Sequence, residues 1–419
     1  MSLTKASYSM ITGAPINILD YGAVGDGTTD CTTAFQSAIT YCTTNNRELY
    51  VPSGTYKITD TLTKAGSFVG VNIRGEGAGN SILEFSSITT PNKSCLVLIG
   101  GSGSVPNNVI EKLTFVGNQN LRAIEFQGLG GQRVRDCKLQ NFLVGGLYNN
   151  SSVGSFTEFD VFENCYFGDC FYALEYQRSL GDDSFHGSGL LNCVVDAYQN
   201  AVARILINTG CKPYNAPMTA QFFVNASIPI IRHVETSRAA SYYGTITIES
   251  SGAAIPTLAN GYDVGLIGGI SWIGNKPNWG TMSVTRYESI DVGGVLQSLD
   301  TMYVGQPIAI NTATFTDFFT PVGMLRGTRL FFVYLEGTNV EVTYMLLSLT
   351  SPFGFYPTPT LIGKSVCDNG GQSGADAIFA LNNTNSYLQI KQGAGPAVNV
   401  TARIVAYQLG VGAANTGVL

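Results

Sequence analysis

Charge is scarce in this 419-residue chain: 12% of residues are Asp, Glu, Lys or Arg, with a net charge of −6. No basic run stands out, which argues against nucleic acid as a partner. Histidine is nearly missing, with 2 copies, and the 9 cysteines lack the paired spacing of metal ligands. A zinc site is therefore not expected, nor any other cofactor. No apolar run is long enough to span a bilayer, so membrane insertion is not expected. Met1 to Ala14 has no apolar core of the kind a secretory leader carries.

What is abundant is turn and strand chemistry. The chain holds 49 glycines, 22 phenylalanines and 21 tyrosines, with many Ser, Thr, Asn and Val residues. That balance reads as all-β with frequent turns. Length alone suggests two or three domains, but a repetitive β fold can run long as one.

A repeat decides between them. Lys112–Phe115, Asp136–Leu139, Asn164–Phe167 and Asn192–Val195 align at spacings of 24, 28 and 28 residues. After each comes a second apolar piece: Ala123–Phe126, Gly146–Asn149, Ala173–Tyr176 and Ala201–Arg204. Two strands recurring in fixed phase imply the stacked coils of a solenoid. Leu113, Cys137, Cys165 and Cys193 then form an internal stack, with the thiols as small apolar fillers. Ile124, Leu147, Leu174 and Val202 form another. Strand side chains alternate, so Glu125, Tyr148, Glu175 and Ala203 make an outward column, with Gln127, Asn150 and Gln177 beside it. The repeat blurs after Ile205. From about Ser298 alternation such as Val340-Glu341-Val342-Thr343 predicts an antiparallel β-sandwich with one buried face.

Asn17 to Ile39 reads Asn-Ile-Leu-Asp-Tyr-Gly-Ala-Val-Gly-Asp-Gly-Thr-Thr-Asp-Cys-Thr-Thr-Ala-Phe-Gln-Ser-Ala-Ile. Gly22, Gly25 and Gly27 permit sharp turns. Asp30 is placed as a helix N-cap, and Ala34, Phe35, Ala38, Ile39 and Cys42 share one face of a short helix. Such a helix suits the open end of a strand stack. Glu48–Ile58 and Ile73–Leu83 look like the first strand pairs, with no helix pattern after Gly75, Gly77 and Gly79 to support a nucleotide loop.

This opening resembles that of pectate-lyase-like right-handed β-helices, above all those of bacteriophage tailspikes and capsule depolymerases. The resemblance is close over residues 17–85 and general over 86–250. It implies a right-handed parallel β-helix over 17–298 with its capping region at 17–45, followed by a β-sandwich at 299–419 for trimerisation or glycan binding. It further implies a homotrimer, a bacterial capsular or O-antigen polysaccharide as ligand, a place in the virion tail, and synthesis in the host bacterial cytoplasm without a signal peptide. Tailspikes usually carry a virion anchor before this signature. Residues 1–16 are a short segment, so attachment is expected through that segment or an adaptor protein, unless an anchor has been removed.

A solenoid flank offers a long groove suited to extended polysaccharides. Hydrolysis needs two carboxyl groups; elimination from uronic acids needs a base and cations for the enolate. Glu125 and Glu175 lie two coils apart in this register, about 10 Å between backbones at ~4.8 Å per coil. Inverting glycosidases hold their carboxyls roughly 6.5–9.5 Å apart. Asp182, Asp183 and His186 follow on an overhanging polar insertion. These five are the candidate catalytic residues. Glu158, Asp160, Tyr148, Gln177, Arg178, Trp272 and Trp279 are candidates for binding substrate, the tryptophans by stacking on sugar rings or else by packing in a core. Glu158 and His186 share an offset of seven residues before Cys165 and Cys193, which stacks them on adjacent coils. His233 sits among charges and reads as structural. The expected activity is a glycoside hydrolase. A lyase of the same fold, a recognition spike that does not cleave, and a cellular pectate-lyase-like enzyme are the alternatives, with Arg178 and Arg204 as the cations a lyase would need.

Overall fold

The computed structural model describes residues 13–282, apart from 67–69, 101–105, 197–200, 235–238 and 276. Beyond them it gives the backbone of further strands as far as Gln408, without their side chains, and the side chain of Trp279 also lies outside the described residues. Two compact units divide the chain, the first holding residues 1–264 and 270–278, the second 265–269 and 279–419.

The first unit is a parallel β-solenoid of about eight coils. Three sheets run along it. One stacks Glu48–Val51, Asn72–Gly75, Val109–Glu111, Arg133–Arg135 and Val161–Glu163. A second stacks Gly54–Lys57, Ser81–Glu84, Thr114–Val116, Lys138–Gln140 and Tyr166–Gly168. The third stacks Leu62–Ala65, Ser94–Ile99, Arg122–Gln127, Val144–Asn150, Tyr172–Arg178, Ile205–Ile207, Pro229–His233 and Thr257–Ile273.

The repeat has a visible cause. Lys112, Asp136, Asn164 and Asn192 all adopt left-handed backbone angles, φ 58°, 52°, 53° and 53°. Such a residue turns the corner between two strands, and Asn and Asp tolerate it best. The next residue points inward on every coil: Leu113, Cys137, Cys165 and Cys193 are buried in one column. Their thiols donate to carbonyls one coil earlier, Cys165 to Val134 at 3.3 Å and Cys193 to Phe162 at 3.2 Å. Burial pushes both thiols well above their ordinary range.

The third sheet departs from the expected register. Its pairing is Ile124–Gly146–Leu174–Ile205 and Phe126–Tyr148–Tyr176–Ile207, both inward. Tyr148 therefore lies in the core, its ring centroid 5.4 Å from that of Phe126 and 5.2 Å from that of Tyr176. Leu147, not Tyr148, faces outward between Glu125 and Glu175. Gly146 explains the slip: a Cβ there would meet the Phe162 ring at 2.4 Å, because that ring fills the slot. Apolar pattern alone assigned Leu147 to the slot that Gly146 leaves to a neighbour. Leu147 is nonetheless fully buried on the outer face, whereas Val202 is exposed and Ile205 takes its place in the stack.

A polar column crosses the core at the same spacing. Asn108 Oδ1 accepts from Val71 N, Gln132 Oε1 from Asn108 N, Asp160 Oδ1 from Gln132 N, and Ser188 Oγ from Asp160 N. Each side chain thus takes a backbone donor from the coil before it, satisfying groups that the corner would otherwise strand. Asp160 is fully buried, which corrects its expected contact with substrate. Its Oδ2 has no partner, and burial holds its carboxyl well above the usual carboxylate range.

The helix Thr32–Asn45 buries Phe35, Ala38, Ile39 and Cys42. It lies beside Leu62–Ala65, the first strand of the third sheet, whose outer edge has no strand to pair with among the described residues. Gln36 completes that edge: its amide accepts from Thr63 N and donates to Thr63 O, both at 2.8 Å. Asp30 is not the N-cap; Cys31 holds that position, and Asp30 Oδ1 accepts from Thr32 N two residues on.

In the second unit the strands pair antiparallel. Arg329–Gly337 lies between Val340–Ser348 and Val400–Gln408. Thr360–Asp368 extends the sheet beside Val340–Ser348. A separate sheet joins Thr316–Phe319, Leu388–Gln392 and Ala377–Leu381. Antiparallel pairing already begins with Asn278–Val292 against Val295–Val304, ahead of the boundary expected at residue 298.

Candidate functional site

The outer face of the third sheet carries the candidate chemistry. Pairing places Val97, Glu125, Leu147, Glu175 and Leu206 in one outward column. Gln127, Asn149 and Gln177 form the column beside it; the expected Asn150 instead turns in and donates to the carbonyls of Asp182 and Ser184. Glu125 and Glu175 thus do share a face two coils apart, separated by Leu147.

Both carboxylates are nearly enclosed, at 6% and 7% exposure, although they lie on the outside of the solenoid. Their neighbours enclose them. Glu125 Oε2 accepts from Ser94 Oγ at 2.5 Å, and its Oε1 accepts from the amides of Gln127 at 2.6 Å and Asn149 at 2.7 Å. Glu175 Oε1 accepts from Asn208 at 2.9 Å, while Arg122 comes within 3.6 Å of its Oε2. Arg122 starts its strand two coils before Glu175, so the ion pair reaches across the intervening coil, with Arg122 Nε buried and unpartnered. Glu175 Oε2 is accordingly the less engaged carboxylate oxygen of the pair. A buried carboxylate beside a partly satisfied guanidinium has charge to offer an incoming ligand.

The second cluster sits where the same coil leaves the third sheet. Arg178 is exposed, and its Nε donates to Gly181 O at 2.6 Å. Asp182 is exposed, and the Ser184 N–H it accepts holds its carboxyl below the usual range. Asp183 is half-buried. Glu158 and His186 lie on adjacent coils, and Ser184 Oγ donates to Glu158 Oε1. His186 is stacked on Tyr214, ring centroids 4.3 Å apart at 9°, with Phe159 on its other side at 4.7 Å. Ser184–His186 pairs with Lys212–Tyr214 to make a short sheet of its own.

The structure thus brings Glu125, Glu175 and Gln177 to one face, and Glu158, Arg178, Asp182, Asp183 and His186 to the adjoining corner. It withdraws Tyr148 and Asp160 into the core. Trp272 is 42% exposed in the strand Thr257–Ile273. His233 is buried, with its ring 5.9 Å from that of Tyr262. Arg204 is buried within the solenoid, its Nη2 donating to Phe223 O at 3.2 Å. Sequence reasoning missed Arg122, Ser94, Asn149, Asn208, Phe159 and Tyr214. Asn149 follows from the same 28-residue arithmetic once Gly146 is taken as the inward residue. Arg122 carries no such signal, since only the fold brings it to Glu175. Among the described residues no group of three or more His, Cys, Asp or Glu side chains could hold a metal ion, and no helix is long and apolar enough to cross a membrane.

Comparison with known proteins fits this architecture. The family described as rhamnogalacturonase A/epimerase, pectate lyase-like, matches residues 15–141. That match covers the capping helix and the first coils, and there the chain is similar to the pectate-lyase-like family. Its relatives include a capsule depolymerase. Depolymerase 1, capsule K3-specific, of Klebsiella phage KP32 is 31% identical over 230 residues, covering 49% of this chain and 26% of that protein. The chain therefore spans about a quarter of the length of this relative. Among solved structures, the phiAB6 tailspike in complex with three-repeated oligosaccharides of Acinetobacter baumannii surface polysaccharide aligns over 96% of this chain and 88% of that one, at 13% identity and a TM-score of 0.44. Tailspike gp49 of Acinetobacter baumannii bacteriophage Fri1, a capsular polysaccharide depolymerase, aligns over 95% and 87%, at 9% identity and a TM-score of 0.36.

Proposed function

We propose that this protein is a phage tailspike that binds and depolymerises a bacterial capsular or O-antigen polysaccharide by glycosidic hydrolysis. The observation that carries the reading is the pairing that sets Glu125 and Glu175 on the outer face of the third sheet, two coils apart with Leu147 between them. The K3-specific relative supports the substrate class. One of these two carboxyl groups protonates the leaving oxygen and the other takes a proton from the attacking water. A carboxylate has about four acceptor sites, so the three donors on Glu125 leave room for that water. Asp182, Asp183, Glu158, His186, Gln177 and Arg178 line the rim, where loops collect functional side chains.

Arg122 favours a second reading. A guanidinium beside Glu175 can stabilise the enolate that forms when a base removes a proton next to a uronate carboxylate. The strands after residue 279 form a β-sandwich that holds three copies together, and the assembly sits in the virion tail. Analytical ultracentrifugation tests the trimer, and a monomer at micromolar concentration contradicts it.

The chemistry is tested by digesting a panel of purified capsular and O-antigen polysaccharides, Klebsiella K3 included, and reading both reducing ends and the ultraviolet absorbance of unsaturated uronates. New reducing ends without absorbance support hydrolysis; both together support elimination. Binding without product leaves a recognition spike, and neither binding nor product from any cognate glycan ends the proposal.

A further inference from the structure

The corner column one residue before the polar ladder holds a single misfit. By the coil spacing, Gly131, Phe159, Gly187 and Asn215 occupy equivalent positions, and their backbone N–H groups donate in turn to Glu158 O, His186 O, Tyr214 O and the Ser241 hydroxyl. All four are left-handed, with φ 78°, 59°, 65° and 46°. Glycine and asparagine suit that conformation; phenylalanine does not. Among the described residues the other non-glycine positions with positive φ hold Asn, Asp, Lys or Gln, so Phe159 is the one aromatic among them.

Packing does not explain the choice either. Phe159 is 48% exposed, so its ring is only partly used by the fold. One side meets His186 at 4.7 Å, and His186 in turn stacks on Tyr214, over whose ring Lys212 Nζ stands at 5.6 Å. The preceding coil has Gly131 at this position, with no side chain to set against the ring. Arg133 Nη1 donates to Phe159 O at 2.5 Å and Gly187 leaves room for the ring on the following coil, where a Cβ would meet Phe159 Cδ1 at 2.6 Å. An aromatic ring is thus held on a strained corner, backed by two more rings, and left open on one side. Local choices that oppose both backbone preference and burial collect where a ligand uses them.

We infer that Phe159 is a stacking platform for a sugar ring of the polysaccharide, on the corner that adjoins Glu158 and the Asp182–Asp183 loop. The inference rests on the proposed glycan binding and adds a subsite to it. An apolar ring face suits the C–H face of a pyranose, and the neighbouring Glu158 carboxylate and Arg133 guanidinium supply polar partners at its edge.

The experiment compares wild type with Phe159→Asn, the residue that Asn215 shows to fit this corner, and with Phe159→Trp, which keeps a platform. Each is tested for retention on the immobilised polysaccharide panel described above and for Tm. The inference expects Phe159→Asn to bind about tenfold more weakly, equivalent to ~1.4 kcal/mol, with Tm unchanged or higher because the strain is relieved. Phe159→Trp retains binding. Wild-type binding matched by Phe159→Asn overturns the platform while leaving glycan recognition intact. A fall in Tm for Phe159→Asn without a selective loss of binding also overturns it, since the ring is then structural. No retention by wild type on any glycan overturns the glycan reading itself, and the platform with it.

Discussion

Asp160 should make this solenoid less stable as the pH rises, and Asp160→Asn should remove that dependence. The carboxyl occupies a place in the polar column that needs only an acceptor for Gln132 N, which an asparagine supplies equally well. Its other oxygen is buried and unpartnered. The groups that face it are Arg133, which favours its charge, and Glu158, which opposes it, but burial dominates and keeps it protonated well above the usual range. Ser188 Oγ and Tyr148 Oη satisfy its backbone rather than its carboxyl. The unfolded chain ionises this residue near pH ~3.9. Above that value, folding must retain a proton that the unfolded chain releases. The fold therefore has its full stability below the unfolded pKa and loses it as pH rises toward the folded one. The loss is about 1.4 kcal/mol per pH unit while the folded carboxyl stays protonated. For a unit of this size that is roughly 2–3 °C in Tm per pH unit. Differential scanning fluorimetry of both proteins from about pH 5 to pH 7 measures it directly. The gap between Asp160→Asn and wild type should widen as pH rises above the unfolded value, for as long as the folded carboxyl keeps its proton. Parallel curves would show that Asp160 is ionised or paired in the fold, and would refute the reasoning.

Three further outcomes follow from single contacts. Tyr148→Phe removes the hydroxyl that donates to Asp160 O at 2.8 Å and should cost about 1–2 kcal/mol by chemical denaturation, yet leave glycan cleavage intact, because the ring is internal. Gln36→Ala strips both hydrogen bonds from Thr63 and should speed amide exchange at that residue while lowering stability by about 1–2 kcal/mol; unchanged exchange would show that the helix does not complete the sheet edge. Leu113→Ala opens a cavity in the column it shares with Cys137 and should cost about 2–5 kcal/mol by the same denaturant titration.

Much of the solenoid was legible because its corners repeat. The spacing of Lys112, Asp136, Asn164 and Asn192 gave the pairing that the second sheet shows, and the cysteine column followed from it. The third sheet was harder. Apolar alternation placed Leu147 inward, but the large Phe162 ring reaches into the slot beside Gly146, so the coil shifts by one residue and Tyr148 turns in. A one-residue slip reverses every side chain on a strand. Glu125 and Glu175 stayed on the outer face because their own coils kept register. Asp160 was misread for a different reason: a charged residue in a loop looks exposed unless its 28-residue partners, Gln132 and Ser188, are recognised as a buried ladder. Arg122 and Phe159 depend on contacts between coils and on backbone angle, which no local pattern encodes.

The most direct test of the central claim compares wild type and Glu175→Gln on the polysaccharide that the wild-type protein cleaves, reading new chain ends and glycan binding side by side. Glu175→Gln keeps the Asn208 contact in reach but can neither give nor take a proton as a carboxyl does. The account predicts release by wild type, loss of at least about a hundredfold in rate for the variant, and retained glycan binding by the folded variant. Equal rates from the two proteins would contradict the assignment of the reaction to the outer face of the third sheet.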